Sequence, residues 1–278
     1  MLDSPDWMAT TSGALWVKLD PGTVVQLDPA TARVRKRVAA HGPDAFNLCQ
    51  GFGETGDAVW SCTPFGTLER IDAASGRVTD LLRYPVRSDQ GHLIEAGNKL
   101  WVIPRSGDAI AGIDLSDRTL GQPIGLRASC VELAADDPVV WAVCPADNQV
   151  VRVDTAAGRV TGRLAIPQPR QVAVGAGSVW IGFQGGVAQV DPESLAVEAV
   201  YDVDAGLAGA LWVGRRLVWV RGDQGTFLTA LDPVAHRVVY RITAADLPSG
   251  GNVIGVGHQL WATAFDDATV VRLRPPTS

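Results

Sequence analysis

Residues 171–201, QVAVGAGSVWIGFQGGVAQVDPESLAVEAVY, contain four short strand patterns separated by Gly-rich or Asp-Pro turns. The second pattern carries Trp180, and the third ends at the Val190-Asp191 pair. Apolar and small or polar residues alternate in these patterns, and tight hairpins need Gly, Asp and Pro at such turns. The stretch therefore predicts one four-stranded antiparallel unit.

This unit recurs along the whole chain. Seven Trp residues follow one another at spacings of 39 to 44 residues, and an aliphatic–Asp pair comes 11 to 13 residues after six of them. A period near 40 with four strands per unit is typical of propeller blades. We therefore predict an all-β chain in which residues 1–278 form a single seven-bladed β-propeller domain, with almost no helix. The Trp residues are Trp16, Trp60, Trp101, Trp141, Trp180, Trp219 and Trp261, and the pairs end at Asp28, Asp72, Asp114, Asp154, Asp191 and Asp232.

Both repeated residue types have a structural interpretation. Each Trp is expected to fill the wedge between neighbouring blades, and each Asp carboxylate to accept backbone N–H groups where the third strand enters its turn. The seventh unit has only three strand patterns before Pro275-Pro276. Its outermost strand is expected to be missing, or to come from a segment upstream of Met1.

The four cysteines form two pairs, one in the second unit and one in the fourth. Each pair straddles the turn between the first and second strands, and neighbouring antiparallel strands bring such residues within disulfide reach. A metal site would require all four thiols to converge, although these two units are not adjacent in a ring. We predict the disulfides Cys49–Cys62 and Cys130–Cys144, which favour an oxidising, extracytoplasmic compartment.

Composition excludes several classes of function. The chain is 46% hydrophobic and 19% charged, with a formal net charge of −6. An acidic chain is a poor match for a nucleic-acid-binding surface. No apolar run approaches the roughly 20 residues of a membrane-spanning helix. Phosphate-binding, nucleophile-elbow and zinc-protease motifs do not occur in the sequence.

The pattern Gly-x-Gly-Ser-Val-Trp at 175–180, followed by Val190-Asp191-Pro192, resembles bacterial YVTN-type propellers. It is most similar to the exported, Trp-rich group related in fold to streptogramin (virginiamycin B) lyase. Asp6-Trp7-Met8, Cys49 and Pro169-Arg170 also match openings of that group, whereas Gln90 and Asn252 are amides where it has carboxylates. The resemblance covers essentially all 278 residues and is specific for the fold rather than for an activity.

The lyase resemblance implies a His/Glu constellation with Mg²⁺ late in the chain, and this motif is not matched. His236 and His258 fall in turns predicted on the face opposite the usual ligand entrance, without an accompanying Glu. His41 and His92 lie near first-strand entrances on the other face. We therefore expect neither a metal site nor a cofactor.

Propellers bind ligands over the central channel, where the first strands and their preceding loops meet. The residues predicted there give an acidic, amide-rich mouth with one Arg, which suits a small polar ligand or a peptide segment. The candidate ligand-binding residues are Asp6, Trp7, Asn47, Gln90, His92, Glu132, Arg170, Gln171 and Asn252.

The function predicted from these features is non-catalytic binding by an exported monomeric propeller. Its partner would be a small polar ligand, a protein or a peptide, without nucleic acid or a membrane span, and the export signal would lie upstream of this chain. Two alternatives stay open. One is a lyase- or hydrolase-type enzyme using Asp6, His92, Glu132 or Arg170 over the channel, and the other is an extracytoplasmic sensor domain.

Overall fold

Seven antiparallel blades surround a central channel, which confirms the predicted all-β seven-bladed propeller. The structure is a computed structural model that describes residues 4–11, 13–20, 22–39, 49–63, 67–84, 86–223, 225–244 and 250–275. Within these residues the helical content is one short 3₁₀ turn, Pro145–Asp147. No helix in the described ranges is long and apolar enough to cross a membrane.

Each of the first four blades has four strands that follow one another in chain order from the channel outward. Blades one and two contain β1 (Pro5–Thr11), β2 (Ala14–Leu19), β3 (Thr23–Leu27), β4 (Val34–Val38), β5 (Phe52–Thr55), β6 (Ala58–Cys62), β7 (Thr67–Asp72) and β8 (Val78–Arg83). Blades three and four contain β9 (Ile94–Ala96), β10 (Lys99–Val102), β11 (Ala109–Asp114), β12 (Ile124–Gly125), β13 (Glu132–Asp136), β14 (Val139–Cys144), β15 (Gln149–Asp154) and β16 (Arg159–Ala165).

Blades five and six form one six-stranded sheet that contains two long strands, and the second of these belongs to both blades. The first part of β18 (Ser178–Val190) pairs with β17 (Pro169–Gly175), and its last part pairs with the start of β19 (Val197–Val213). The rest of β19 pairs with β20 (Val218–Gly222) and so forms the inner strand of blade six. Two separate strands were predicted between 178 and 191. In the structure they form one continuous strand, in which Gly185 adopts φ +87°, a conformation that glycine tolerates without strain.

The remaining strands complete the ring. Blade six ends with β21 (Leu228–Asp232) and β22 (Arg237–Ile242), and blade seven consists of β23 (Val253–Val256), β24 (Gln259–Ala264) and β25 (Thr269–Leu273). In the described part of the chain the seventh sheet is therefore three-stranded, as the sequence predicts. Blade seven packs on blade one, where Trp261 joins a buried cluster with Met8, Leu15 and Val17.

The seven repeated Trp side chains are all buried, with at most 4% of their surface exposed. This confirms that they fill the core between blades. Four of their indole N–H groups donate to the residue five positions earlier, which ties each ring to the end of the preceding strand. These pairs are Trp16–Thr11, Trp60–Thr55, Trp101–Ala96 and Trp180–Gly175.

The repeated Asp residues close the turn after the third strand. Asp191, for example, accepts hydrogen bonds from the backbone N–H groups of Glu193 and Ser194. Hydrogen bonds from the Ser194 side chain and backbone hold the pKa of Asp191 below its usual range. The equivalent carboxylates of Asp28, Asp72, Asp114, Asp154 and Asp232 also accept backbone N–H groups, as predicted.

Both predicted disulfides are present. Cys49–Cys62 lies within blade two and Cys130–Cys144 within blade four, with Cα–Cα distances of 5.7 and 3.8 Å. Each joins the segment before the inner strand to the end of the second strand. The four thiols therefore do not form a shared metal site, and each disulfide fixes one loop at the mouth of the channel.

Candidate ligand site at the channel mouth

The inner strands are irregular where they begin, at the mouth of the channel. The pairing of β1 with β2 shifts register between Pro5 and Met8, and that of β17 with β18 shifts between Pro169 and Gln171. The displaced residues are Asp6, Trp7 and Arg170, all of them predicted ligand-binding residues. Bulges turn side chains out of the regular alternation and are common beside functional sites.

A histidine–glutamate pair lies at the entrances of blades three and four. His92 Nδ1 lies 2.8 Å from Glu132 Oε1, and the same oxygen accepts the backbone N–H of His92 at 3.0 Å. The Glu132 side chain is only 2% exposed, whereas that of His92 is 29% exposed. The buried carboxylate therefore orients the imidazole and leaves its other nitrogen, Nε2, available.

Trp7 packs against this pair from blade one. Its ring meets the His92 ring edge-on, with centroids 4.9 Å apart. Gly91 makes the contact possible, because a Cβ there would lie 1.9 Å from Glu132 Oε2 and 2.6 Å from a Trp7 ring carbon. The Trp7 Nε1–H is buried and has no hydrogen-bond partner in the described part of the chain.

Carboxylates surround the His92 imidazole. Burial opposes protonation of His92, but the charge and hydrogen bond of Glu132, together with Glu54 and Asp6, outweigh it and raise the pKa of His92. Burial raises the pKa of Asp6 to about 6, and Asp20 adds to the rise while Lys18 and His92 oppose it. Burial also raises the pKa of Glu54. The mouth thus combines several groups that titrate nearer to neutrality than usual.

Lys18 lies beneath the mouth and is 3% exposed. Its Nζ donates to the backbone carbonyls of Cys49 at 2.5 Å, Gly51 at 3.2 Å and Cys62 at 3.1 Å. Burial lowers the pKa of Lys18 to about 7, against the charges of Asp6, Asp20 and Glu69. Three carbonyl acceptors suit the three N–H groups of an ammonium, so Lys18 ties blade one to the disulfide loop of blade two.

Three predicted site residues support the mouth from within. Gln90 is fully buried, accepting the Ile103 N–H and donating to the His92 carbonyl, so it holds the His92 backbone in place. Asn252 is 3% exposed, and its Nδ2 has no partner among the described residues. Gln171 is 9% exposed on β17.

Arg170 has an exposed side chain on blade five, next to the entrance of blade four. An open cleft of about 700 Å³ lies between these blades, lined by Ile166, Pro167, Gln168 and Phe183 among others. Asn47 lies outside the described residues. The structure thus brings Asp6, Trp7, His92 and Glu132 together, with Arg170 standing apart on the same face.

Sequence reasoning missed Glu54 and Lys18. Glu54 lies inside β5, and its charge contributes to the raised pKa of His92. The burial of Lys18 could have been predicted, because Lys18 is a charged residue within the otherwise apolar strand Ala14–Leu19. A cation in such a strand indicates a buried group that needs acceptors from neighbouring blades.

His236 and His258 lie in the predicted turns, between β21 and β22 and between β23 and β24, away from the mouth. Among the residues that the structure describes, no group of three His, Cys, Asp or Glu side chains is arranged to hold a metal ion.

Solved structures with the same fold have diverse functions. The chain superposes on "Streptogramin B lyase structure" with a TM-score of 0.79 and 14% identity, covering 98% of this chain and 94% of that one. It matches hydrazine synthase of Kuenenia stuttgartiensis with a TM-score of 0.77, 15% identity and coverages of 99% and 96%. It also superposes on the β-propeller domain of Myceliophteria thermophila Cps50 (Swd1) with a TM-score of 0.80 and 11% identity. This match covers 99% of this chain and 98% of that one.

These similarities establish a streptogramin-lyase-like seven-bladed fold, shared by enzymes and non-enzymes. Neither a protein-family model nor a curated protein matches the sequence. At such low identity the likeness concerns the fold alone, so function has to be argued from the mouth residues.

Proposed function

We propose that this chain is an extracytoplasmic, non-catalytic binding protein, a monomer with one propeller domain spanning residues 1–278. Its ligand is a small polar molecule or a peptide segment that carries an amino group and binds at the channel mouth. One observation carries the proposal. The bulged Asp6-Trp7 segment meets the His92–Glu132 pair, which joins an aromatic ring, an unpaired indole N–H and carboxylates in one place.

The charges at the mouth favour an ammonium group. Asp6, Glu54 and Glu132 supply three carboxylates close to a single imidazole. Trp7 adds a ring that attracts cations, an interaction worth about 0.5–2 kcal/mol. An amino acid or a peptide N-terminus carries such an ammonium group. Arg170, at the entrance of blade five, can bind a carboxylate on a longer ligand.

The two disulfides support an extracytoplasmic location. Such bonds persist in oxidising compartments and are rare in the cytosol. Because each joins a mouth loop to the strand behind it, both also limit motion of the entrance. A preformed mouth loses less conformational entropy on binding, which suits a protein that recognises small ligands.

Calorimetric titration of the full chain tests this proposal, with glycinamide, lysine and triglycine as probes and acetate and acetamide as comparison compounds. We expect saturable binding of at least one amine probe, weakened about tenfold or more by Glu132→Gln or Trp7→Leu, which corresponds to about 1.4 kcal/mol. Arg159→Ala, an exposed change on outer strand β16, should leave binding unchanged. Equal binding to all variants, or no binding of any amine, would contradict the proposal.

An enzyme acting at the same mouth is the second candidate, favoured by the His92–Glu132 hydrogen bond. Glu132 holds Nδ1 of His92, so Nε2 is free to accept or donate a proton. Asp6, with a pKa of about 6, supplies a second group that changes charge near neutral pH. A lyase or a hydrolase needs such an acid–base pair.

Turnover separates the two candidates. Products from a panel of lyase and hydrolase substrates, formed by the wild-type chain but not by His92→Gln, would favour the enzyme. Retained ligand binding without any product would favour the binding protein. The His92→Gln protein should first be shown to unfold at the wild-type temperature, so that lost turnover is not confused with lost folding.

A further inference from the structure

Two of the nine Trp residues do not belong to the repeat. Trp7 lies at the channel mouth, near the start of the inner strand β1. Trp212 lies near the end of β19, the inner strand of blade six, and therefore on the opposite face of the propeller. Unlike the seven buried Trp side chains, Trp212 is only half-buried. Its ring crosses to blade seven and lies on Gly255, where a Cβ would come within 2.0 Å of the ring. The glycine therefore makes room for the indole between blades six and seven.

Trp212 forms a wall of a cleft of about 300 Å³ on the face opposite the mouth. The turn between β19 and β20 supplies Arg215 and Arg216, both exposed, and the turn between β23 and β24 supplies His258. Trp219, Leu260 and Pro275 add apolar surface. This volume lies at the lower end of the range for small-molecule sites, and the lining has the usual mixture of aromatic surface and few polar groups.

Gln259, one of the residues that line the cleft, carries an unsatisfied acceptor. Gln259 Oε1 is buried and has no hydrogen-bond partner in the described part of the chain. A buried polar atom without a partner is costly, and a ligand that donates a hydrogen bond would remove that cost.

Positive charge continues beyond the cleft into an adjoining groove of about 620 Å³. The groove shares the Arg215–Leu217 turn and adds Arg237 and Tyr240. Asp232 also lines it, and this carboxylate, which accepts the N–H groups of Val234 and Ala235, offsets one of the three arginine charges. The surface around the cleft is thus predominantly cationic, although the whole chain carries a net charge of −6.

We infer that this cleft is a second ligand site, separate from the channel mouth, for a small planar aromatic acid that also bears a hydrogen-bond donor. The ring would pack against Trp212. The carboxylate would be held by Arg215, whose planar guanidinium group matches its geometry, and the neighbouring Arg216 would add positive charge. A hydroxyl or ring N–H of the ligand would donate to Gln259 Oε1. The inference does not depend on the function proposed for the mouth.

Ligand-observed NMR and calorimetry with the full chain test this site. The probes are 4-hydroxybenzoate and indole-3-acetate, with cyclohexanecarboxylate lacking the aromatic ring and benzamide lacking the charge. We expect at least one aromatic acid to bind with a Kd of about 1 mM or tighter, and both comparison compounds to bind more weakly.

Variants assign the binding to the cleft. The exposed double change Arg215→Ala with Arg216→Ala should weaken aromatic-acid binding about tenfold or more, and Trp212→Leu should do the same. Arg159→Ala and the mouth variant Glu132→Gln should leave it unchanged. If Trp212→Leu does not fold, the exposed arginine pair still decides the outcome. No saturable binding of either aromatic acid, or binding that the arginine pair does not affect, would overturn the inference.

Discussion

Lys18 and Arg221 occupy the same position of the repeat, two residues after the blade Trp, and each donates to the equivalent carbonyl of the following blade. Lys18 Nζ lies 3.1 Å from the carbonyl oxygen of Cys62, and Arg221 Nε lies 3.1 Å from that of Thr263. Their exposed fractions are 3% and 0%. Two buried cations thus join blade one to blade two and blade six to blade seven.

Lys18→Met should destabilise the protein. The substitution keeps much of the apolar stem but leaves three buried carbonyls without their donor, while it also removes the cost of burying an amine. We expect a net loss of about 2–3 kcal/mol in the free energy of unfolding, measured by chemical denaturation. Arg37→Met on exposed β4 is the matched control and should change stability little. Equal stability of both variants would show that the blade contact is dispensable.

Asp6→Asn should stabilise the protein above about pH 6. The folded-state pKa of Asp6 is raised from 3.8 to about 6, so folding favours the protonated form. Its stabilising contribution is complete below the unfolded pKa and is lost as pH rises through the folded pKa. The asparagine variant should therefore gain about 1–2 kcal/mol over wild type near pH 8, allowing for solvent screening, and nearly nothing near pH 4.

Thermal unfolding across pH measures this difference. Asp136→Asn, which changes an exposed carboxylate at the end of β13, serves as the control for removing one acidic side chain. A stability difference for Asp6→Asn that grows as the solution becomes more acidic would have the wrong sign and would contradict the argument.

Gly91→Ala should destabilise the protein and disturb the channel mouth, although the substitution adds only one methyl group. The new methyl group would collide with the Glu132 carboxylate and the Trp7 ring, so at least one of them must move. We expect a loss of about 1–3 kcal/mol in stability together with loss of amine binding, read by denaturation and calorimetry. Gly125→Ala, which has no atom within 4 Å of the new carbon, should be neutral. Wild-type binding by Gly91→Ala would argue against the mouth as the ligand site.

Arg170→Ala should weaken binding of ligands that carry a carboxylate. The loss should be about 1.5–3 kcal/mol, the scale of a hydrogen bond to a charged group, and stability should change less because the side chain is exposed. Calorimetry with triglycine and with its C-terminal amide separates the two ends of the ligand. An unchanged affinity accompanied by a large loss of stability would instead identify Arg170 as a structural contact between blades.

Each disulfide should appear intact in the mass of the unreduced protein. Cys130→Ala with Cys144→Ala should lower stability by about 3 kcal/mol, because the bond closes a 14-residue separation in the unfolded chain. Removing Cys49–Cys62 should cost a similar amount and also loosen the carbonyls that receive Lys18. Four thiols that react with alkylating reagent before reduction would contradict both disulfides and the extracytoplasmic proposal.

The blade number, the buried Trp residues, the Asp turns and both disulfides could be predicted from the sequence. Their signals are periodic and local: a Trp such as Trp180 repeats every 39 to 44 residues, and a hairpin turn is determined by the few residues within it. Even the three-stranded seventh sheet follows from counting strand patterns after Trp261.

Only the tertiary structure decided which polar residues meet. Glu132 was a candidate, but its contact with His92, 40 residues away, depends on how two inner strands are staggered around the axis. Bulges turn Asp6 and Trp7 toward this pair, and a bulge is not visible in an apolar pattern. The buried state of Lys18 likewise depends on carbonyls from blade two. Local sequence determines strands and turns, whereas burial and side-chain direction at the mouth arise from packing of segments distant in the chain.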